Sequence, residues 1–384
     1  MTTQTALNSE QLAQLSIDIK KWGKELGFQH VGISSTELLN QDEAYQKWIK
    51  NNYHGDMDYM NRNIDLRLNP AQLHPNTASI ISVRLDYLPE NAGFSTSLND
   101  PNKAYISRYA IGRDYHKVLR NKLKQLGQKI ELETELNIGF RPFVDSAPVL
   151  ERPIAEQAGL GWTGKHTLII HKDAGSWFFL GELFINLPLV EDQPVQEECG
   201  NCVACITICP TAAIVEPYVV DARKCISYLT IELQGSIPVE YREAIGNRIY
   251  GCDDCQLVCP WNRYADLSQE KDFEQRHGLL SQDLLALWQW DEETFLTKTQ
   301  GSPIRRIGYQ RWLRNLAIGI GNSSFNPANI AALESKLVQA DEIAAEHINW
   351  AIAQQQLKQS NENPVNKKTA RLIRVIEKGL PRDA

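Results

Sequence analysis

Cysteine is missing from the first 198 residues of this 384-residue chain and from its last 125. Long apolar runs are missing as well, and none approaches the roughly 18 residues of a membrane span. The stretch from Trp177 to Val190 comes nearest, but Glu182, Asn186 and Pro188 interrupt it. The first 26 residues lack the apolar core of a signal peptide. Leu12, Leu15, Ile19, Trp22 and Leu26 instead recur at spacings of 3 and 4, the mark of an amphipathic helix. These absences predict a soluble, cytoplasmic protein with no membrane partner. With 42% hydrophobic and 23% charged residues, the composition excludes a disordered, collagen-like or small disulfide-stapled chain. At roughly 100–200 residues per domain, two or three domains are expected.

A basic excess is lacking too, since the formal net charge is −7. The charge is nevertheless uneven. Residues 301–384 hold 12 Lys and Arg against 7 Asp and Glu, a local balance of +5, which leaves −12 on residues 1–300. Such asymmetry fits a confined nucleic-acid footprint on an otherwise acidic enzyme.

All eight cysteines fall between Cys199 and Cys259. Clustered thiols in a cytosolic protein more often bind metal than form disulfides. Cys199-x2-Cys202-x2-Cys205-x3-Cys209-Pro210 has the spacing of a bacterial ferredoxin ligand run, in which three thiolates wrap one cubane and the fourth reaches a second. Cys252-x2-Cys255-x3-Cys259-Pro260 repeats its latter part, and Cys225 can supply the missing ligand. Crossover ligation assigns Cys199, Cys202, Cys205 and Cys259 to one [4Fe–4S] cluster. It assigns Cys209, Cys225, Cys252 and Cys255 to the other. A zinc ribbon is the competing reading, but zinc has no use for a seventh and eighth ligand followed by proline. A ferredoxin needs only some 60 residues for two clusters. The remaining length argues for an enzyme whose clusters feed a redox site.

Alternating helix and strand signals over residues 1–185 predict an α/β (α+β) domain. Its helices are marked by Leu12–Leu26, ending at Gly27, and by Leu119, Leu123, Leu126 and Ile130. Its strands are Phe28–Ile33, Ser79–Val83, Thr167–His171 and Phe178–Ile185. Beyond about residue 275 strand signals stop. Leu313–Ile318 and His347–Ile352 align with an offset of 34 residues, which predicts an all-α, HEAT-like cap.

Gly159 and Gly164-Lys165 mimic the start of a phosphate-binding loop, but His166 stands where a hydroxyl must hold magnesium and the loop enters a strand. A nucleotide loop is therefore rejected. Asp145 reads by itself as a capping residue for the helix before Gly159. His30, His54, His74, His116, His171, His277 and His347 show no shared ligand spacing and read as surface or core residues.

Taken together, Val144-Asp145-Ser146, Glu151-Arg152, Gly159-x-Gly161, the eight cysteines, Cys225–Thr230 and Gly246–Asp253 resemble the epoxyqueuosine reductase family over essentially the whole chain. The resemblance implies three parts. These are a cobalamin and substrate domain over 1–187, a ferredoxin-like two-cluster domain over 188–270, and a HEAT-like tRNA-binding domain over 271–384. It implies reduction of epoxyqueuosine to queuosine at the tRNA wobble position, through cobalamin fed by two [4Fe–4S] clusters. It places Arg67, Ser107, Asp145, His166, Ile169, Leu180, Ser227, Cys252 and Asp253 around the cobalamin, with His166 where asparagine is expected.

Asp145 then becomes the general acid, its pKa raised by burial against the corrin. A low-potential donor of flavodoxin or ferredoxin type is implied, and a monomer is expected. For tRNA, Lys367, Lys368, Arg371, Arg374 and Lys378 would form one basic helix face, with Leu372, Ile373, Val375 and Ile376 packed on the preceding repeat. Arg305, Arg306, Arg311 and Arg314 would add to that footprint. A solvated terminal helix is the alternative. Competing functions are a corrinoid reductase of a small halogenated molecule, a pure electron carrier, and a helical scaffold with structural clusters.

Overall fold

In the computed structural model, residues 7–38, 42–359 and 366–379 are described. Helix α1 (Ser9–Glu25) begins at a capping box, in which the Asn8 side chain accepts from the Gln11 N–H and the Gln11 side chain accepts from the Asn8 N–H. It ends as expected at Gly27, whose φ of +93° turns the chain out of the helix. The chain then enters a four-stranded sheet of β1 (His30–Ser34), β2 (Ser79–Asp86), β3 (Phe140–Phe143) and β4 (Phe178–Ile185). The spatial order is β1-β2-β4-β3, with every neighbouring pair antiparallel.

Helices cover both faces of this sheet. Along β4 side chains alternate between faces. Phe179, Leu183 and Ile185 join the core under α1 and α2 (Tyr115–Thr134). Phe178, Leu180 and Phe184 turn the other way, into the cores beneath α3 (Glu151–Gln157). Sandwiching explains why β2 is buried at every position, its polar Ser79, Ser82, Arg84 and Asp86 included. It also puts Glu182, an even-numbered position of β4, beneath α3 with no exposure.

Strand Phe178–Ile185 has the expected bounds, whereas β3 was not foreseen because Pro142 removes a ladder donor. The sheet tolerates that proline because β3 is an edge strand. The expected strand Thr167–His171 shrinks to Ile169–Ile170, paired with Trp162–Thr163. A tight turn takes its start: Gly164 N–H donates to Leu168 O, Thr167 N–H donates to Gly164 O, and Thr167 sits at φ +72°.

The C-terminal part holds α4 (Gly308–Asn322), α5 (Pro327–Ser335), α6 (Glu342–Lys358) and α7 (Lys367–Gly379). The two segments related by 34 residues lie on α4 and α6, which pack on one another, and α5 packs on α6. Helix α7 does not continue the stack. Leu372, Ile373 and Ile376 join the N-terminal core, where α7 packs on the short helices Phe94–Asn99 and Asp254–Leu257. The expected packing of these residues on the preceding repeat is thus corrected. The N-terminal core and the cysteine region supply the apolar partners of α7 instead.

Candidate active site

The eight thiols gather in two sets of four. Cys259 lies within electrostatic reach of Cys199, Cys202 and Cys205, and these four line one cavity of about 300 Å3. Cys255 lies near Cys225 and Cys209, while Cys252 neighbours Cys255. The last cysteine of each run therefore crosses to the other set, because the short helices Ala204–Ile208 and Asp254–Leu257 pack together. All eight are free thiols. Among the described residues no three His, Cys, Asp or Glu side chains close on a single metal ion. Four thiolates that each reach a different corner of a cubane have no need to. The donor sets fit two four-iron clusters.

Cys202 is exposed, so the first set borders solvent. The second set adjoins Ser227, two residues from Cys225, which lines the inner end of the cleft described below. Lys165, the residue that imitated a phosphate-loop lysine, donates from Nζ to the Gly200 and Cys202 carbonyls at 2.5 and 3.0 Å. It clamps the first cysteine loop.

Asp145 follows β3 at φ +56°, in the left-handed region that an Asp tolerates better than most residues. It does not cap α3, whose N-cap is Leu150 without a side-chain bond. Its N–H donates to Glu151 Oε1 at 2.5 Å. Its Oδ2 accepts from the Tyr115 hydroxyl and lies 3.2 Å from His116 Nε2. Asp114, the N-cap of α2, holds His116 Nδ1 at 2.7 Å. Tyr115 is stacked between His116 and Phe179, with ring centroids 4.2 and 4.1 Å away.

This geometry sets where the proton rests. Burial alone would push the Asp145 carboxyl up, but the bonds from His116 and Tyr115 outweigh it and hold the group below the ordinary carboxylate range. Burial likewise pulls His116 down, yet Asp114 and Asp145 raise it to about 9. In the protein alone, therefore, Asp145 is ionised and the proton sits on His116, whereas the expected upward shift of Asp145 belongs to the site with a corrin against it. Neither Tyr115 nor His116 had a sequence signal, because a motif of spacing cannot show what a helix N-terminus faces. Glu182 had one, as the lone carboxylate inside the apolar run Trp177–Val190.

Asp145, His116 and Arg306 line a cleft of about 1190 Å3, which continues into a smaller chamber containing Ser227. Apolar walls come from Trp48, Val149, Val219 and Val220, and Arg67 contributes a buried Nε with no acceptor. A large cleft that mixes apolar surface with many polar groups, among them an orphaned buried donor, fits a macrocycle fringed with amides. Of the residues expected around the corrinoid, Arg67, Asp145 and Ser227 line these spaces. Ile169 and Leu180 pack together beneath α3, and Cys252 belongs to the second thiol set.

His166 lines the cavity of the first thiol set, its Nδ1 accepting from the Leu168 N–H. Ser107 and Asp253 turn to each other instead: the Ser107 hydroxyl, the Tyr105 hydroxyl and the Arg108 N–H all donate to the buried Asp253 carboxylate. Their polar groups are thus held by one another, which fixes the backbone of these two expected corrinoid neighbours in place.

The basic residues divide in the same way. Lys367, Lys368, Arg371, Arg374 and Lys378 are exposed on α7, although Lys368 Nζ also donates to Cys209 O at 2.5 Å. Arg305 is exposed, and Arg306 pairs with Glu232 at the cleft. Arg311 is half-buried, its guanidinium bound to the Ile307, Ile231 and Arg306 carbonyls. Arg314 has no exposure and donates to the Leu229, Leu233 and Gly235 carbonyls at 2.7–2.8 Å. It cannot touch RNA, and its place in the footprint is withdrawn.

Comparison with known proteins agrees with this geometry. The family model described as "Epoxyqueuosine reductase QueG, DUF1730" matches residues 67–146, and that of a "4Fe-4S double cluster binding domain" matches residues 198–262. The epoxyqueuosine reductase of Aliivibrio fischeri is 58% identical over 378 residues, covering 98% of this chain and 100% of the relative. That of Escherichia coli is 57% identical over 376 residues, covering 97% and 98%. Among solved structures, the epoxyqueuosine reductase of Streptococcus thermophilus superposes with a TM-score of 0.79 at 26% identity, covering 94% of this chain and 98% of that one. An epoxyqueuosine reductase bound to an epoxyqueuosine-modified tRNA-Tyr stem loop gives the same score and identity, with 95% and 98% coverage.

Proposed function

The chain belongs to the epoxyqueuosine reductase family, and from that premise we propose that it reduces epoxyqueuosine to queuosine at the wobble position of tRNA. The observation that carries this reading is identity of 57–58% to epoxyqueuosine reductases along nearly the full length of both chains. A reductase of a small halogenated molecule has no comparable support.

The reaction removes one oxygen. Two C–O bonds break, a C=C bond forms, and the oxygen leaves as water after taking up two electrons and two protons. Two [4Fe–4S] clusters supply the electrons singly, the first on Cys199, Cys202, Cys205 and Cys259 and the second on Cys209, Cys225, Cys252 and Cys255. The exposed Cys202 supports entry at the first cluster, from a low-potential donor of flavodoxin or ferredoxin type. Cobalamin, held in the cleft by Arg67, Ser227 and their neighbours, supplies when bound a strongly reducing metal nucleophile for carbon.

The protein's own groups manage the protons. His116 stores one and Asp145 presents it at the cleft, so the epoxide oxygen is protonated as its bond to carbon opens. Tyr115 holds the Asp145 carboxylate in place and keeps its second oxygen free to face substrate. Basic side chains hold the RNA by its phosphates without reading bases: Arg305 and Arg306 near the cleft, and Lys367, Lys368, Arg371, Arg374 and Lys378 on α7. We take the working unit to be a monomer. The test is mass spectrometry of tRNA nucleosides from cells lacking the gene. Accumulated epoxyqueuosine, cleared by the restored gene, is the expected result, and an unchanged queuosine pool would overturn the proposal.

A further inference from the structure

Glu182 is the most deeply buried carboxyl near the reaction site. It lies mid-strand in β4 with no exposure, and no donor reaches either of its oxygens. Strand register fixes its neighbours: Ser82 on β2 and Phe143 on β3 stand directly opposite. Ser82 is uncharged and its hydroxyl is also without a partner. Above the sheet, Glu151 on the first turn of α3 meets Glu182 carboxyl to carboxyl. Glu182 is walled off in the sheet, whereas Glu151 is half-buried and lines the cleft. Two carboxylates brought together where one of them has no access to water repel each other unless a proton lies between them. A cation that acts on the pair is His116, which reaches Glu151 across Asp145. Arg152, next in sequence, is turned away to the Thr167 carbonyl at 2.6 Å.

The other end of Glu151 touches the catalytic turn. Its Oε1 accepts the Asp145 N–H at 2.5 Å, and Asp145 holds a positive φ that is strained for a non-glycine residue. We propose that Glu151 and Glu182 share one proton, and that this pair is a positioning device that latches the Asp145 turn in its left-handed conformation. With the proton in place, Glu182 donates to Glu151 and Glu151 accepts from Asp145, so three groups form one chain from sheet to cleft. Without it, repulsion drives Glu151 off Glu182 and the Asp145 N–H loses its acceptor. Burial and the neighbouring carboxylates push Glu151 up to about 8 and Glu182 well above its ordinary value, so the latch is closed at neutral pH. The catalytic meaning of the latch rests on the proposed epoxide reduction, but the shared proton does not.

The experiment is amide hydrogen exchange of residues 144–151 in the purified, cluster-loaded protein between pH 6.5 and 9.5, corrected for intrinsic exchange. In the wild type, protection should hold at neutral pH and then fall about tenfold per pH unit once the pair loses its proton. In Glu182→Gln the amide donates permanently to Glu151, and protection should stay level across the range. Infrared spectra provide a second readout: a protonated carboxyl band that shifts in D2O should be present at pH 7 and lost in Glu182→Gln. Wild-type exchange without the alkaline step, or no carboxyl band at pH 7, would overturn the latch even if the variant failed to fold. Neither measurement requires substrate, so failure here is distinct from failure of the proposed function.

Discussion

Replacing Asp145 by Asn tests where the proton is kept. Asn has the shape of Asp, can still accept from Tyr115, and leaves the Glu151 contact to the backbone untouched. It removes the carboxylate 3.2 Å from His116, one of the two that raise that imidazole from 6.5 to about 9. A rise of that size is worth about 3 kcal/mol in all. Asp145 has about half its side chain open to cleft water (54% exposed), so its share after screening is about 1 kcal/mol. His116 should therefore titrate about one unit lower in the variant. The sign follows from a folded pKa raised above the unfolded one: the stabilisation is complete below 6.5 and is lost as pH rises through about 9. Loss of a positioned acid typically costs about 10²–10⁴-fold in rate. The assay is single-turnover conversion of an epoxyqueuosine stem loop, followed by mass spectrometry from pH 6 to 10. Turnover should fall by that factor, and the alkaline limb should move toward neutral. A variant with wild-type rate and an unmoved limb would refute both the acid and its reservoir.

Anaerobic reconstitution should yield about eight irons per chain and no stoichiometric zinc, as two four-thiolate sets require; four irons by elemental analysis would break the crossover assignment. Changing Lys368, Arg371, Arg374 and Lys378 together to Ala should weaken stem-loop binding and flatten its salt dependence while leaving cluster spectra intact. Unchanged affinity and slope in a titration would remove α7 from the footprint. Arg314→Met should strip donors from three buried carbonyls and cost about 3–5 kcal/mol in denaturant unfolding. An unfolding midpoint like that of the wild type would show those bonds to be replaceable.

What could be read from sequence was whatever depends on chain-local geometry. Thiol spacing is such a case: a cubane's size dictates how many residues separate its ligands, so a double four-iron cluster domain was legible. Strand Phe178–Ile185 and the first two long helices were legible for the same reason, since their periodicity is imposed by one sheet or one core. Tertiary structure decided the rest. Arg314 and Arg374 are alike as letters, but one is walled in by carbonyls of residues 229–235 and the other faces water. Helix α7 carries its apolar stripe in the sequence, yet which surface it covers depends on what the rest of the fold brings beside it, here the N-terminal core. Asp145 was visible as a candidate acid, while its charge was not. A pKa is fixed by groups a few ångströms away, and His116, Tyr115, Glu151 and Glu182 reach that distance only when α2, α3 and β4 are folded around the same turn.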